Sequence, residues 1–264
     1  MIKYKTEEEI AILREGGKIH ARILREVARK VKVGVRASEL NLYAERLIDE
    51  AGGTAAFLGY QPKGVKRPYP AALCVSINDE IVHGIPNAEP KVLKEGDIVG
   101  LDIGLKFGSN SSPQTMAMIT DAAITVPVGK VDERGMKLIR ATEEALSVGI
   151  KAMRIGGHLG DIGAAIMKVA ERNGFSIAED LSGHGVGYSV HEEPFVPNEA
   201  KIGEGPELVP GLVIAIEPMF CEGGGTVKCL KDGYTYVTKD GLRAAHFEHT
   251  VAVTKKGIEV LTRM

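Results

Sequence analysis

Two stretches of this 264-residue chain follow one unusual plan. Leu93 lies three residues before Gly96, an apolar run follows, and Asp102 sits six residues after the glycine. Leu208, Gly211 and Glu217 repeat the spacing around Val213-Ile214-Ala215-Ile216. A carboxylate ending a buried apolar strand costs several kcal/mol unless it is paired, hydrogen-bonded or metal-bound. The same costly choice at equivalent points of two halves predicts one site shared between them.

The rest of the chain fits two halves of similar build. Thr6 followed by Glu7-Glu8-Glu9 reads as an N-cap with acids in the first turn, and apolar spacing predicts a helix to about Val31. A second helix is expected from Ser38 to about Ala51, closed by Gly52-Gly53. Asp132 caps a third, to about Met153, and His158 or Gly160 starts a fourth that ends near Gly174. After each helix pair come strand-like runs rich in Ile, Leu, Val and Thr. The expected class is α+β, in a single domain over residues 1–264, because no low-complexity linker interrupts the chain.

Strands are expected at 97–107 and 116–126, joined by the turn formers of 108–115. A hairpin with Phe107 opposite Met116 would set Asp102 directly across from Asp121. Opposed acids repel, and no basic residue stands beside them to neutralise the pair, so a metal is the preferred reading. In the last long strand His246, Glu248 and Thr250 share one face by alternation. Gly183-His184-Gly185-Val186-Gly187 is a glycine string that lets backbone approach a ligand closely. His83, before Gly84-Ile85-Pro86, stays open between a structural and a functional role, and 57–72 is an irregular loop with aromatic residues.

Composition narrows the class. A net charge of −2 gives no electrostatic case for nucleic acid or an anionic membrane as a main partner. Three cysteines without a CxxC pair suit a reducing cytoplasm better than a disulfide scaffold. No apolar run reaches the length of a membrane span, and the charged N-terminus lacks a signal-peptide core.

The strand-borne candidates are therefore Asp102, Asp121, His184, Glu217 and Glu248. Four carboxylates carry roughly −4, which two divalent cations balance, and oxygen-rich sites with one imidazole suit Mn, Fe, Co or Zn. Paired metals lower the pKa of a shared water towards about 7 and polarise a carbonyl, while neutral histidines such as His83 and His191 stabilise the developing charge. That chemistry is metal-assisted amide hydrolysis.

Taken as an ordered set, these residues resemble the type I methionine aminopeptidases. The set runs from Ser76-Ile77-Asn78 and His83-Gly84-Ile85-Pro86 through Asp102, Thr120-Asp121-Ala122-Ala123 and Gly183-His184-Gly185-Val186-Gly187. It ends with His191-Glu192-Glu193-Pro194, Glu217-Pro218-Met219 and Phe247-Glu248-His249-Thr250. The resemblance implies a pita-bread fold of two pseudo-twofold halves, antiparallel sheet covered by helix pairs. It implies two divalent ions, among Co, Mn, Fe, Zn and Ni. Asp102 would chelate one, His184 and Glu217 the other, and Asp121 and Glu248 would bridge both.

The implied reaction removes the initiator methionine from nascent chains when the second residue is small. His83 would contact the scissile amide, His191 would stabilise the tetrahedral intermediate, and Glu217 would shuttle a proton. Cys74, Tyr60, Tyr69 and Tyr234 would wall the methionine pocket, with Val190 where many members carry Phe. The resemblance further implies a cytoplasmic monomer with transient ribosome association. Proline-specific relatives generally carry an added N-terminal domain, for which this chain leaves no room, and type II relatives an insertion between the motifs that hold His191 and Glu217. A non-catalytic module on this fold would lack a ligand, and none of the five is missing.

Overall fold

The first helix shows how local chemistry sets the frame. Thr6 accepts from Glu9 N at 3.2 Å while Glu9 Oε2 accepts from Thr6 N at 2.8 Å, a reciprocal cap that starts α1 (Glu7–Ala28). The computed structural model describes residues 1–87, 90–109 and 116–263. After α1 come α2 (Ala37–Glu50), β1 (Thr54–Ala55), β2 (Leu73–Ile77), β3 (Glu80–Val82), β4 (Ile98–Phe107) and β5 (Met118–Pro127). Then follow α3 (Glu133–Ala152), α4 (Leu159–Asn173), β6 (Ser176–Ile177), β7 (Gly183–Gly185), β8 (Glu192–Val196), β9 (Val213–Ile216) and β10 (Met219–Cys221). The chain closes with β11 (Val227–Cys229), β12 (Tyr236–Thr238), β13 (Ala244–His246), β14 (Glu248–Thr254) and β15 (Gly257–Val260). Among the described residues no helix is long and apolar enough to cross a membrane.

The repeat read in the sequence is a repeat of hydrogen bonds. Gly34 N donates to Leu93 O at 2.8 Å, and Gly156 N to Leu208 O at 2.9 Å; Leu93 N returns to Val35 O and Leu208 N to Gly157 O. Gly96 N reaches Val128 O as Gly211 N reaches Val253 O, and Val128 N finds Asp97 O as Val253 N finds Leu212 O. Both glycines need their missing Cβ, at φ +89° and +99°. Each half thus ties a helix-pair turn to the loop entering its acid-bearing strand. The second pair begins at Asp132, which accepts from Gly135 N, and ends at left-handed Gly174.

A nine-stranded sheet runs β1-β4-β5-β14-β9-β7-β8, with β2 also on β4 and β15 on β14. β14 is antiparallel to β5 of the first half and to β9 of the second, so it is the strand the halves share. The main core lies between this sheet and the helices, centred on Leu24, Val27, Leu101, Ile103, Leu138, Ile162, Ile214 and Val251.

Phe107 pairs with Met118, not Met116, so Asp102 lies opposite Ala123 and Asp121 opposite Gly104. The pairing is shifted by two residues, an even slip that keeps every side chain on its face. The two acids are therefore diagonal neighbours on one face rather than directly opposed. The turn cluster expected at 108–115 falls mostly outside the described residues, at 110–115.

Helix α1 packs unusually close to the chain that follows β15. A Cβ on Gly17 would stand 2.2 Å from Leu261 O. Gly17→Ala should destabilise the protein by about 3 kcal/mol, since backbone cannot yield as a side-chain tip does. Urea unfolding measures it; a loss under about 1 kcal/mol would mean that α1 shifts freely.

Candidate functional site

Asp102 and Asp121 reach the site from β4 and β5, Glu217 from just past β9, Glu248 from the first position of β14 and His184 from the centre of β7. All five are buried. His184 Nε2 stands 3.4 Å from Glu217 Oε1 and 4.0 Å from Glu248 Oε1. Ligand atoms of Asp121, His184 and Glu248 lie within 4.8 Å of one another. His184 Nδ1 is 3.0 Å from Gly185 O; a carbonyl can only accept, so Nδ1 carries the proton and Nε2 presents a lone pair.

The glycines around His184 serve a different purpose from the one expected. A Cβ on Gly183 would meet Ala215 O at 2.4 Å, and one on Gly185 would meet Glu193 O at 2.3 Å. The close approach is to the neighbouring strands β9 and β8, which fixes the histidine between them.

Strand alternation puts His246 on the face of Glu248 and marks no role for it. The strand in fact breaks at Phe247, and His246 Nε2 ends 3.2 Å from Glu217 Oε2, at an angle that leaves it without a hydrogen bond. Two buried threonines bridge the break. Thr125 Oγ1 accepts from His246 N and donates to its carbonyl, and Thr250 Oγ1 does the same for Asp121. Asn198 Nδ2 donates to Glu217 O at 3.0 Å and holds the turn after β9.

The electrostatics are those of charge kept from water. Burial, then neighbouring carboxylates, pushes Asp121 and Glu248 well above the usual carboxylate range, and burial holds Asp102 up at about 7. Glu217 goes the other way: burial would raise it, but the His246 and His184 rings outweigh that and hold it low. Asp102 Oδ1, Asp121 Oδ1 and Glu248 Oε1 are buried without a hydrogen-bond partner among the described residues. No lysine or arginine pairs with them there. Convergent, unsatisfied carboxylate oxygens beside an imidazole lone pair fit hard or borderline divalent ions.

Every side chain that the sequence analysis gives a metal, catalytic or pocket role borders one cavity. Its charged end holds the five residues above with His83 and His191, and its apolar end holds Tyr60, Tyr69, Cys74 and Tyr234. Val190, expected in the pocket wall, lines it, and so do Phe57 and Pro62, which no sequence motif marks. Phe57 was hidden in an irregular loop that gives no periodicity. The Tyr69 and Tyr234 rings meet edge to face at 5.1 Å, and Tyr234 donates to Tyr60 O at 3.2 Å and Arg67 O at 2.5 Å. Burial and the nearby Asp102 push the Cys74 thiol well up, so it is a neutral wall.

His83 sits at φ +57°, uncommon for a residue with a Cβ, and Gly84 follows because a Cβ there would meet Val75 O at 2.3 Å. Its ring lies 6.4 Å from that of His191, which stands 4.4 Å from His184. Burial lowers His83 to about 4 and His191 to about 3, so both are neutral at pH 7. A second cleft opens from the same histidines and Glu217, past Leu181, Glu193, Met219 and the 72% exposed Phe195.

Comparison with known proteins places this geometry. The model of metallopeptidase family M24 matches residues 11–255. The methionine aminopeptidase of Aquifex aeolicus is 46% identical over all of this chain and 99% of its own. Methionine aminopeptidase 1 of Bacillus subtilis is 40% identical over the full length of both. The crystal structure of methionine aminopeptidase from Thermotoga maritima superposes with a TM-score of 0.91 at 40% identity, covering both chains completely. The prolidase of Pyrococcus horikoshii, at 20% identity and a TM-score of 0.72 over 63% of its chain, shares the fold alone.

Proposed function

This chain belongs to metallopeptidase family M24 and has its pita-bread fold, and from that premise we propose that it is a methionine aminopeptidase, releasing N-terminal methionine from polypeptides whose second residue is small. The observation that carries the chemistry is the set of buried, unpartnered carboxylate oxygens facing His184 Nε2. Asp102, Asp121, His184, Glu217 and Glu248 would hold two divalent ions. Such ions, when bound, supply a water of lowered pKa and polarisation of the scissile carbonyl.

The protein's own groups do the remainder. The methionine side chain enters the apolar end, where Cys74 and the rings of Phe57, Tyr60, Tyr69 and Tyr234 replace its water shell. Its length then sets the scissile amide beside the two neutral histidines. His83 hydrogen-bonds that amide, and an Nε2–H on His191 meets the oxygen on which charge develops. Glu217, held ionised beside His184 and His246, takes a proton from water and delivers it to the departing amine. The rest of the polypeptide continues along the second cleft, past Phe195.

Purified protein given Mn or Co should release free methionine from Met-Ala-Ser and leave an Ala-Pro peptide intact. Folded, metal-loaded protein that spares Met-Ala-Ser overturns the reading, and cleavage of the Ala-Pro bond would favour a proline-specific peptidase instead.

A further inference from the structure

Two different devices hold His191. Its main chain is fixed by the next residue: Glu192 accepts from Tyr188 N at 2.6 Å and Ser189 N at 2.8 Å and pairs with buried Lys5 at 2.7 Å. Its ring is fixed by Tyr60, whose hydroxyl lies 2.8 Å from His191 Nδ1. Tyr60 is itself anchored, because its carbonyl accepts from Tyr69 N at 2.8 Å as well as from the Tyr234 hydroxyl. The three tyrosines of the pocket therefore end on a histidine at the reacting end.

The direction of the Tyr60–His191 bond decides what His191 can do. A neutral imidazole has one N–H, and the partner of one nitrogen selects which nitrogen bears it. A phenol is the better donor and an imidazole nitrogen the better acceptor, so Tyr60 O–H donates to Nδ1 and the proton of the ring sits on Nε2. That tautomer turns a donor towards the cavity.

We infer that Tyr60 is a positioning residue: beyond walling the pocket, it holds His191 as the Nε2–H tautomer that donates to the substrate carbonyl. The inference rests on the methionine aminopeptidase reading for its substrate, and on the 2.8 Å contact for its geometry. It joins recognition to chemistry, since the ring that touches the methionine side chain also orients the oxyanion donor.

Tyr60→Phe keeps the wall and removes only the hydroxyl. On Met-Ala-Ser, kcat should fall about tenfold, the worth of one hydrogen bond, with KM changed less than twofold. A raised KM with unchanged kcat would reduce Tyr60 to a wall and overturn the inference. Long-range ¹H–¹⁵N spectra of metal-free protein at pH 7.5, with His191→Gln to assign the ring, give a readout independent of turnover. The wild type should show the Nε2–H form and Tyr60→Phe a mixture. A dominant Nδ1–H form in the wild type overturns the inference even if the variant fails to fold. Wild-type protein that spares Met-Ala-Ser but shows the Nε2–H form would instead count against the functional reading alone.

Discussion

Glu248→Gln should cut methionine release by at least about 10³-fold and, in the absence of metal, make the protein more stable. Both effects come from one carboxylate. A metal ligand supplies several kcal/mol of charge stabilisation in the transition state, and each 1.4 kcal/mol or so is a factor of ten in rate. Without metal the same group is a liability: burial and the charges of Asp121, Glu217 and Asp102 all oppose its ionisation. A neutral amide of equal size has no ionisation for the fold to suppress, and a gain of about 1–3 kcal/mol is expected. Calorimetry with and without Mn, beside metal analysis, separates the two. The variant should melt higher than wild type when metal-free, gain less on adding Mn and bind less of it. A variant that melts lower and keeps the full Mn shift would exclude Glu248 as a ligand.

The second large effect is on pH dependence. Asp102 is raised from 3.8 to about 7, chiefly by burial, so between about pH 4 and 7 the folded chain keeps a proton that the unfolded chain has released. Its contribution is fully present below about pH 4 and is lost as pH rises through 7. At about 1.4 kcal/mol for each factor of ten in proton affinity, the loss is near 4 kcal/mol at most. Buried histidines run opposite: His20 and His191 are lowered to about 3, His83 and His249 to about 4, by desolvation first. Their contribution is lost as pH falls from 6.5 through 4.

The two sets offset one another between pH 4 and 6.5, and above 6.5 the carboxylates act alone. Metal-free protein should lose stability from pH 6.5 to 8. The stabilisation brought by Mn should grow from pH 5 to 8, because metal displaces protons from these groups. Melting curves at stepped pH read both slopes; a Mn shift independent of pH would show that the carboxylates are already ionised.

The helices were legible because their ends carry their own chemistry. Thr6, Asp132 and Gly174 stand where a reciprocal cap, an aspartate cap and a left-handed terminus need them. The shared site was legible because a strand ending in an acid is costly enough to be informative. What escaped the sequence was anything that depends on how strands meet. Alternation fixed the faces of Asp102 and Asp121, but a slip of two residues leaves alternation unchanged, so their diagonal relation was invisible. Alternation carried across Phe247 likewise concealed the break that brings His246 against Glu217. The glycines beside His184 could be read as closeness to something, and only strand order says to what.

One consequence belongs to β14, the strand that both halves share. A chain cut just before Glu248 would keep both helix pairs and both acid-bearing strands, yet would lack the seam between them. A growing chain should therefore gain methionine release in one step, when Glu248 and the strand it opens pair with both halves.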